Sequence, residues 1–284
     1  MNYLPYAIAA PVFMAIGNYI QKLVVTDDEV HGGVFGGAYG LLVALLSLPF
    51  AIYFERLTIS MFNLNVVLVL VAMTLLYSMA MWGFFTAMKY VPISEIVFLE
   101  SATPIWVLGG SAVVLGETLS INKLLGVGLI VVGLLVAFRF KKVNRWSKYH
   151  TVGLISGIFY AGAYLTDKYL LGYLPSLYYQ VFSFGLPSIV LLLVFGQRVA
   201  ELSYFWKNKK ARRIIWSSVF VGLGFYCLYT AYNLSNSISL INPIFETKAL
   251  WAMLLGIILL NEKDNLRYKI ISIILATLGV LLIK

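Results

Sequence analysis

Apolar residues in this chain neither alternate with polar ones at strand spacing nor recur at the three-and-four spacing of a half-buried helix. They come in continuous runs, separated by short polar stretches. Ten runs can be drawn, at roughly 3–25, 33–54, 64–88, 91–115, 120–140, 150–171, 175–196, 213–234, 237–260 and 266–283. About 20 apolar residues at about 1.5 Å per residue span the hydrocarbon core of a bilayer, so each run is a candidate crossing. Barrel strands are about half as long and alternate in polarity, so helices are the spanning structure. The pattern predicts an all-α integral membrane fold of about ten transmembrane helices. The longest connections are 26–32, 141–149 and 197–212, too short to hold a soluble domain. The first run follows no basic segment and no clear small-residue cleavage site, and is read as a span, not a removable signal.

The runs repeat. Phe13-Met14-Ala15 and Lys22 return as Phe159-Tyr160-Ala161 and Lys168, 146 residues later. Trp82, Phe85, Thr86, Ala87 and Lys89 return as Tyr226, Tyr229, Thr230, Ala231 and Asn233 at an offset of 144. Ser94, Ile96, Trp106 and Glu117 return as Ser239, Ile241, Trp251 and Glu262 at 145. Gly126 and Gly133 map to Ser272 and Gly279. The chain therefore divides at 1–144 and 145–284, five spans each. An odd number of spans makes the second copy enter from the opposite side. The expectation is two inverted five-helix repeats, the arrangement that secondary transporters use around a central site.

Composition agrees with the pattern. Of the 284 residues 61% are hydrophobic and 12% charged, with a mean hydropathy of +0.89. A soluble domain carries about twice that share of charge. The net charge of +9 is unevenly placed. If connections alternate sides, the side bearing the termini holds 3 basic residues (Arg56, Lys123 and Lys284) against 16 on the other. That bias speaks to orientation, with the basic side cytoplasmic and the termini outside, and not to nucleic acid. The single cysteine, Cys227, allows no disulfide within the chain. His31 and His150 fall in loops, and no His/Cys/carboxylate spacing suggests a metal. No nucleophile–base pair is visible and the glycines at 32–37 precede no Walker sequence, so neither an enzyme nor a cofactor is expected.

Ile93-Ser94-Glu95 leads through Ala102-Thr103-Pro104 to Leu115-Gly116-Glu117-Thr118, and the ninth run ends Leu259-Leu260-Asn261-Glu262. A span with an internal proline, closed by Gly-Glu and followed by a glycine-spaced helix, resembles the EamA-type members of the drug/metabolite transporter superfamily. The likeness covers nearly the whole chain. It implies a ten-helix secondary transporter with a cavity lined by helices 1, 3, 4, 6, 8 and 9. The family's members export amino acids, metabolites or drugs, and relatives exchange nucleotide sugars. Two features depart from it: Asn261 replaces the glycine before Glu262, and family members often have cytoplasmic termini.

Ionisable residues inside spans are costly and mark sites. Glu100 sits one turn before Pro104 with Thr103 on its face, and a buried carboxyl there can take up and release a coupled proton. Glu246 and Lys248 follow Pro243, where they can bind an anionic group or close a salt bridge between helices 4 and 9. Lys22 shares a helical face with Asn18 and Gln21, as Lys168 does with Tyr164 and Asp167; these can contact substrate or gate it, or merely snorkel. Trp82 with Phe85, and Tyr226 with Tyr229, form matching aromatic faces that can stack on a planar or cationic solute or simply pack helices. Glu117 and Glu262 read as structural. The expected protein is a multi-pass inner-membrane exporter of a small metabolite, amino acid or drug-like solute, contacting lipid, monomeric or homodimeric. A lipid or lipid-linked sugar flippase is the alternative.

Overall fold

The computed structural model describes residues 2–25, 30–91, 99, 103–137, 146–204, 210–235, 237–248, 250–251, 254–255 and 266–283. Among them stand ten α-helices and no strand. They are α1 (Leu4–Val25), α2 (Gly32–Phe54), α3 (Leu64–Tyr90), α4 (Thr103–Val114), α5 (Ile121–Ala137), α6 (Lys148–Leu170), α7 (Ser176–Val194), α8 (Ala211–Ser235), α9 (Ile238–Glu246) and α10 (Leu266–Ile283). Short 3₁₀ turns cover Ile59–Met61 and Gly196–Leu202. Each helix falls on one of the ten apolar runs, so the all-helical reading holds run by run.

The ends follow from local chemistry. The Asn63 side chain accepts the Val66 N–H at 2.9 Å and starts α3. His150 Nδ1 accepts the Ser147 N–H at 3.0 Å at the start of α6. These contacts satisfy donors that a helix N-terminus leaves open. Four helices, α2, α3, α7 and α8, are each long and apolar enough alone to cross a membrane. Helices α1 and α6 match them in length, but carry Asn18 and Gln21, or Asp167 and Lys168, which face inward or cap a neighbour, as described below.

The helices pack in a regular exchange. The most extensive contacts are α5 with α10, α1 with α8, α2 with α7, and α3 with α6. Adding five to a helix number in one half, and subtracting it in the other, turns α1–α8 into α6–α3 and leaves α2–α7 and α5–α10 unchanged. That exchange of contacts is the pattern a twofold relation between the halves would give. The outer surface is apolar, with Val113 86% and Leu193 77% exposed. Exposed apolar area on this scale suits lipid and not water. One large core runs through α1–α4 and α6–α9, while Val127, Ile130, Leu134 and Ala276 form a second, small core between α5 and α10.

Candidate functional site

The inner faces of α1, α3, α6 and α8 do not meet at the centre. They leave a small, aromatic-lined cavity between them. Helix α1 brings Met14, Asn18 and Gln21, one face at i, i+4 and i+7. Helix α3 brings Tyr77, Met81, Phe84 and Phe85, and α6 brings Tyr160 and Tyr164. Tyr39, Ser183 and Phe184 come from α2 and α7, Val221 and Phe225 from α8, and Lys248 from the segment after α9.

The walls are aromatic. Tyr160 and Tyr164 stack with ring centres 6.0 Å apart, and Tyr77 meets both edge-on at 6.1 and 6.4 Å. Phe184 and Phe225 meet edge-to-face at 4.8 Å. Such pairs hold each other's orientation and present π faces and edges to a bound solute. Polar groups are few. Gln21 Oε1 and the Tyr39 hydroxyl are buried with no hydrogen-bond partner. A buried polar group left unpaired costs about 1–3 kcal/mol, so a bound polar group would be favoured there. The Lys248 ammonium pairs with Glu246 at 3.0 Å and stands 4.9 Å from the Phe245 ring centre.

Behind the cavity wall lies a buried carboxylate. Asp167 on α6 is 0% exposed. The Tyr77 hydroxyl donates to its Oδ2 at 2.6 Å, and the Tyr179 hydroxyl donates to its Oδ1. One residue on, the Lys168 ammonium donates to the Tyr232 carbonyl at 2.8 Å, which places a cation on the last turn of α8. Further out at the same end, Glu117 accepts the N–H of Ile238 at 2.7 Å and of Ser239 at 3.2 Å, closing the start of α9. These bonds tie helix ends together at the end that carries the chain termini. The cavity lies between the middle of the bundle and the opposite end, because Asn18, Gln21, Phe84 and Phe85 occupy the last turns of α1 and α3.

Of the residues singled out in the sequence, Asn18, Phe85, Tyr164 and Lys248 line the cavity. Glu246 sits behind Lys248 as its partner. Tyr229 is fully buried one layer back, its hydroxyl 3.0 Å from that of Ser183. Tyr226 is half-buried away from the cavity, and Trp82 is 38% exposed on the outer face of α3. Thr103 is buried against Gly157 of α6. Lys168 caps α8 and does not reach the cavity. Glu100, and the Lys22 side chain, lie outside the described residues. Tyr77 and Tyr160 were not singled out in the sequence, and Gln21 and Asp167 entered only as face-sharing neighbours of Lys22 and Lys168. A signal for them existed, since Tyr77, Met81 and Phe84 continue the face of Phe85 by helical spacing and Asp167 is an ionisable residue inside a span. Among the described residues no three His, Cys, Asp or Glu side chains gather to hold a metal.

An aromatic cavity inside a bundle of apolar helices suits a membrane transporter. The comparisons agree with that reading. A transporter of unassigned substrate from Archaeoglobus fulgidus is 28% identical over 271 residues, covering 93% of this chain and 90% of its own. A crystal structure with 13% identity superposes over 97% of this chain and 94% of its own with a TM-score of 0.74, which shows a shared fold. Residues 1–139 and 147–284 each match the EamA-like transporter family. The chain thus carries that family's unit twice, spans a membrane as helices, and belongs to the EamA-like transporter family.

Proposed function

We propose that this protein is a secondary transporter that exports a small solute with an aromatic or apolar body and a hydrogen-bonding head, by alternating access across the cell's inner membrane. The cavity carries the reading. Its aromatic rings can stack on the body of such a solute, and the open Gln21 and Tyr39 groups can take its head. Lys248 supplies a positive group on the wall, suited to a carboxylate or another anionic substituent. The two repeats, 1–144 and 145–284, rock about their shared twofold relation. The basic side of the chain is cytoplasmic by the positive-inside rule. The cavity extends toward that side, as an exporter loading from the cytoplasm requires.

The test is a thermal-stability screen of the purified protein in detergent. Tryptophan, phenylethylamine, a sugar phosphate, a nucleotide sugar and a phospholipid would each be added in turn. A solute that binds only the folded protein at about 100 times its Kd stabilises it by about 2.7 kcal/mol. Stabilisation by tryptophan, reduced in Phe85→Ala and Lys248→Ala, and by phenylethylamine, reduced in Phe85→Ala alone, is expected. Stabilisation by the phospholipid alone would replace the solute exporter with a lipid flippase.

A further inference from the structure

We infer that Asp167 is a proton-binding site and that Tyr77 passes its protonation state to the substrate cavity. The inference rests on the transporter reading for its purpose, though not for its chemistry.

A carboxylate in the middle of a helix bundle needs a compensating charge or strong hydrogen bonds. Asp167 is fully buried and has two phenolic donors, one per oxygen, from two other helices. The groups facing it are almost all phenols. Tyr77 comes from α3, Tyr179 from α7, and Tyr229 and Tyr232 from α8, while Tyr164, on the same helix as Asp167, packs against Tyr77. Helix α4, which also packs on α6, has no titratable residue between Thr103 and Val114. The cation on α6 itself, Lys168, is committed to the Tyr232 carbonyl. On the α9 side the charged groups are Glu246 and Lys248, which pair with each other, and Glu117, which is bonded to the start of α9. Asp167 is therefore held by neutral donors, and its charge is one the site can lose by taking a proton.

The hydrogens then have to rearrange. In the ionised state Tyr77 donates to Oδ2 while its ring lines the cavity. A proton delivered by a hydronium ion from the cavity forms an O–H bond at Oδ2 and leaves water behind. The acid is now a donor at an oxygen where Tyr77 was donating. A phenol oxygen can accept as well as donate, so Tyr77 takes the acid's hydrogen and turns its own toward the cavity. Protonation thus adds one donor to the cavity wall, and deprotonation withdraws it. A solute group that accepts a hydrogen bond there binds the protonated protein better, and by reciprocity the bound solute raises proton affinity. The ionised form also ties α3, α6 and α7 with charge-assisted bonds, which weaken to neutral ones when the proton arrives.

The experiment is an infrared pH titration of the full-length protein in lipid bilayers, with no solute added. The carbonyl stretch of a protonated carboxylic acid should grow reversibly as the pH falls. In Asp167→Asn, a near-isosteric change, the part of that band worth one carboxyl per protein should be lost. In Tyr77→Phe the band should remain but move in frequency, because the acid has lost its acceptor. A flat difference spectrum between wild type and Asp167→Asn, over the pH range in which the protein stays folded, overturns the proton site. A band unmoved by Tyr77→Phe overturns the relay. If Asp167→Asn does not fold, Tyr77→Phe and Tyr179→Phe keep the carboxyl and report on the same band, which must shift in both. Because no solute is present, the result is independent of transport: solute flux with a flat difference spectrum overturns Asp167 alone, whereas a titrating Asp167 in a protein that moves no solute overturns the transporter reading.

Discussion

Glu55 and Glu201 do the same work at opposite ends of the bundle. Glu55, after α2, accepts the N–H groups of Leu177 and Tyr178 at 2.9 and 3.2 Å and so caps the start of α7. Glu201, after α7, accepts the N–H of His31 at 2.7 Å, immediately before α2. The two lie 146 residues apart, within the span of offsets at which the sequence repeats. Each half thus caps a helix of the other half, one cap at each end of the α2–α7 pair. Both caps are made at once, so α2 and α7 form a strut that holds in this state at both ends.

Removing either cap should therefore weaken the protein without changing which end is open. Glu55→Gln and Glu201→Gln each lose a charge-assisted bond to a helix N-terminus, worth about 1–3 kcal/mol. Thermal unfolding in detergent should show a lower Tm for each and near-additive loss in the double variant. Cysteine labelling from each side of the membrane at Ser183→Cys, in a Cys227→Ser background, should be unchanged. Altered sidedness in either variant would make the α2–α7 pair a moving part instead.

Glu117 should give the terminus-bearing end a pH dependence. Burial pushes its carboxyl up, but bonds from the Ser239 hydroxyl, the Ile238 N–H, the Ser237 hydroxyl and the Ser239 N–H outweigh that and hold it below the usual carboxylate range. A group whose pKa is depressed by folding contributes stability that is complete above its unfolded value and fades as the pH falls through the folded one. The closure of α9 by Glu117 should persist at neutral pH and weaken under acid conditions. Glu117→Gln should lower Tm at neutral pH and flatten the acid limb of the Tm–pH curve. Parallel curves for the two proteins would remove Glu117 from the closure.

The ten helices were legible because a bilayer demands about 20 apolar residues per crossing, and nothing in this chain competes with that signal. The cavity was legible only in part. Asn18, Phe85, Tyr164 and Lys248 stood out by residue type or repeat position, and they do line it. The repeat also paired Trp82 with Tyr226, and neither faces the cavity. Sequence symmetry relates positions on equivalent helices but does not say which face of a helix looks inward. On α3 the inward stripe runs through Tyr77, Met81, Phe84 and Phe85, which leaves Trp82 turned toward lipid. Asp167 was hidden for a different reason. In the sequence it stands only as a residue sharing a face with Tyr164 and Lys168 near a helix end. Only the fold brings Tyr77 and Tyr179, 90 and 12 residues away in the chain, onto its two oxygens.

The α5–α10 contact should tolerate nothing larger than glycine at position 279. A Cβ on Gly279 would lie 2.6 Å from the Gly126 carbonyl oxygen and 2.7 Å from Ile130 Cγ1. Backbone at that distance cannot move aside, so Gly279→Ala must push the two helices apart. Overpacking of this kind costs about 1–3 kcal/mol. Gly128, on α5, has nothing within 4 Å of its ideal Cβ, and Gly128→Ala should cost nothing or stabilise slightly. Comparing the two Tm values tests the contact directly, since the substitutions are chemically identical. Equal values would show that the pair does not bear on stability.

His31 should act as a titratable cap at the end opposite Glu117. Its Nδ1 accepts the Gly33 N–H at 3.2 Å at the start of α2, which only the neutral ring can do. Burial lowers its pKa from 6.5, and the nearby Arg198 and Lys89 charges add to the effect, while Glu201 opposes it. The folded protein thus binds this proton less readily than the unfolded chain. The cap's contribution is complete above the unfolded value of 6.5 and is lost as the pH falls through the lower folded value. Asparagine is as good an N-cap and does not titrate, so His31→Asn should keep the cap, worth about 1 kcal/mol, at every pH. The measurement is Tm against pH from about 8 to about 5, the range in which histidine changes charge. Wild type should fall further than His31→Asn over that range, and the gap should open only on the acid side. Superimposable profiles would mean that the Gly33 contact contributes nothing to the stability of α2, and that Glu201 alone holds that helix start.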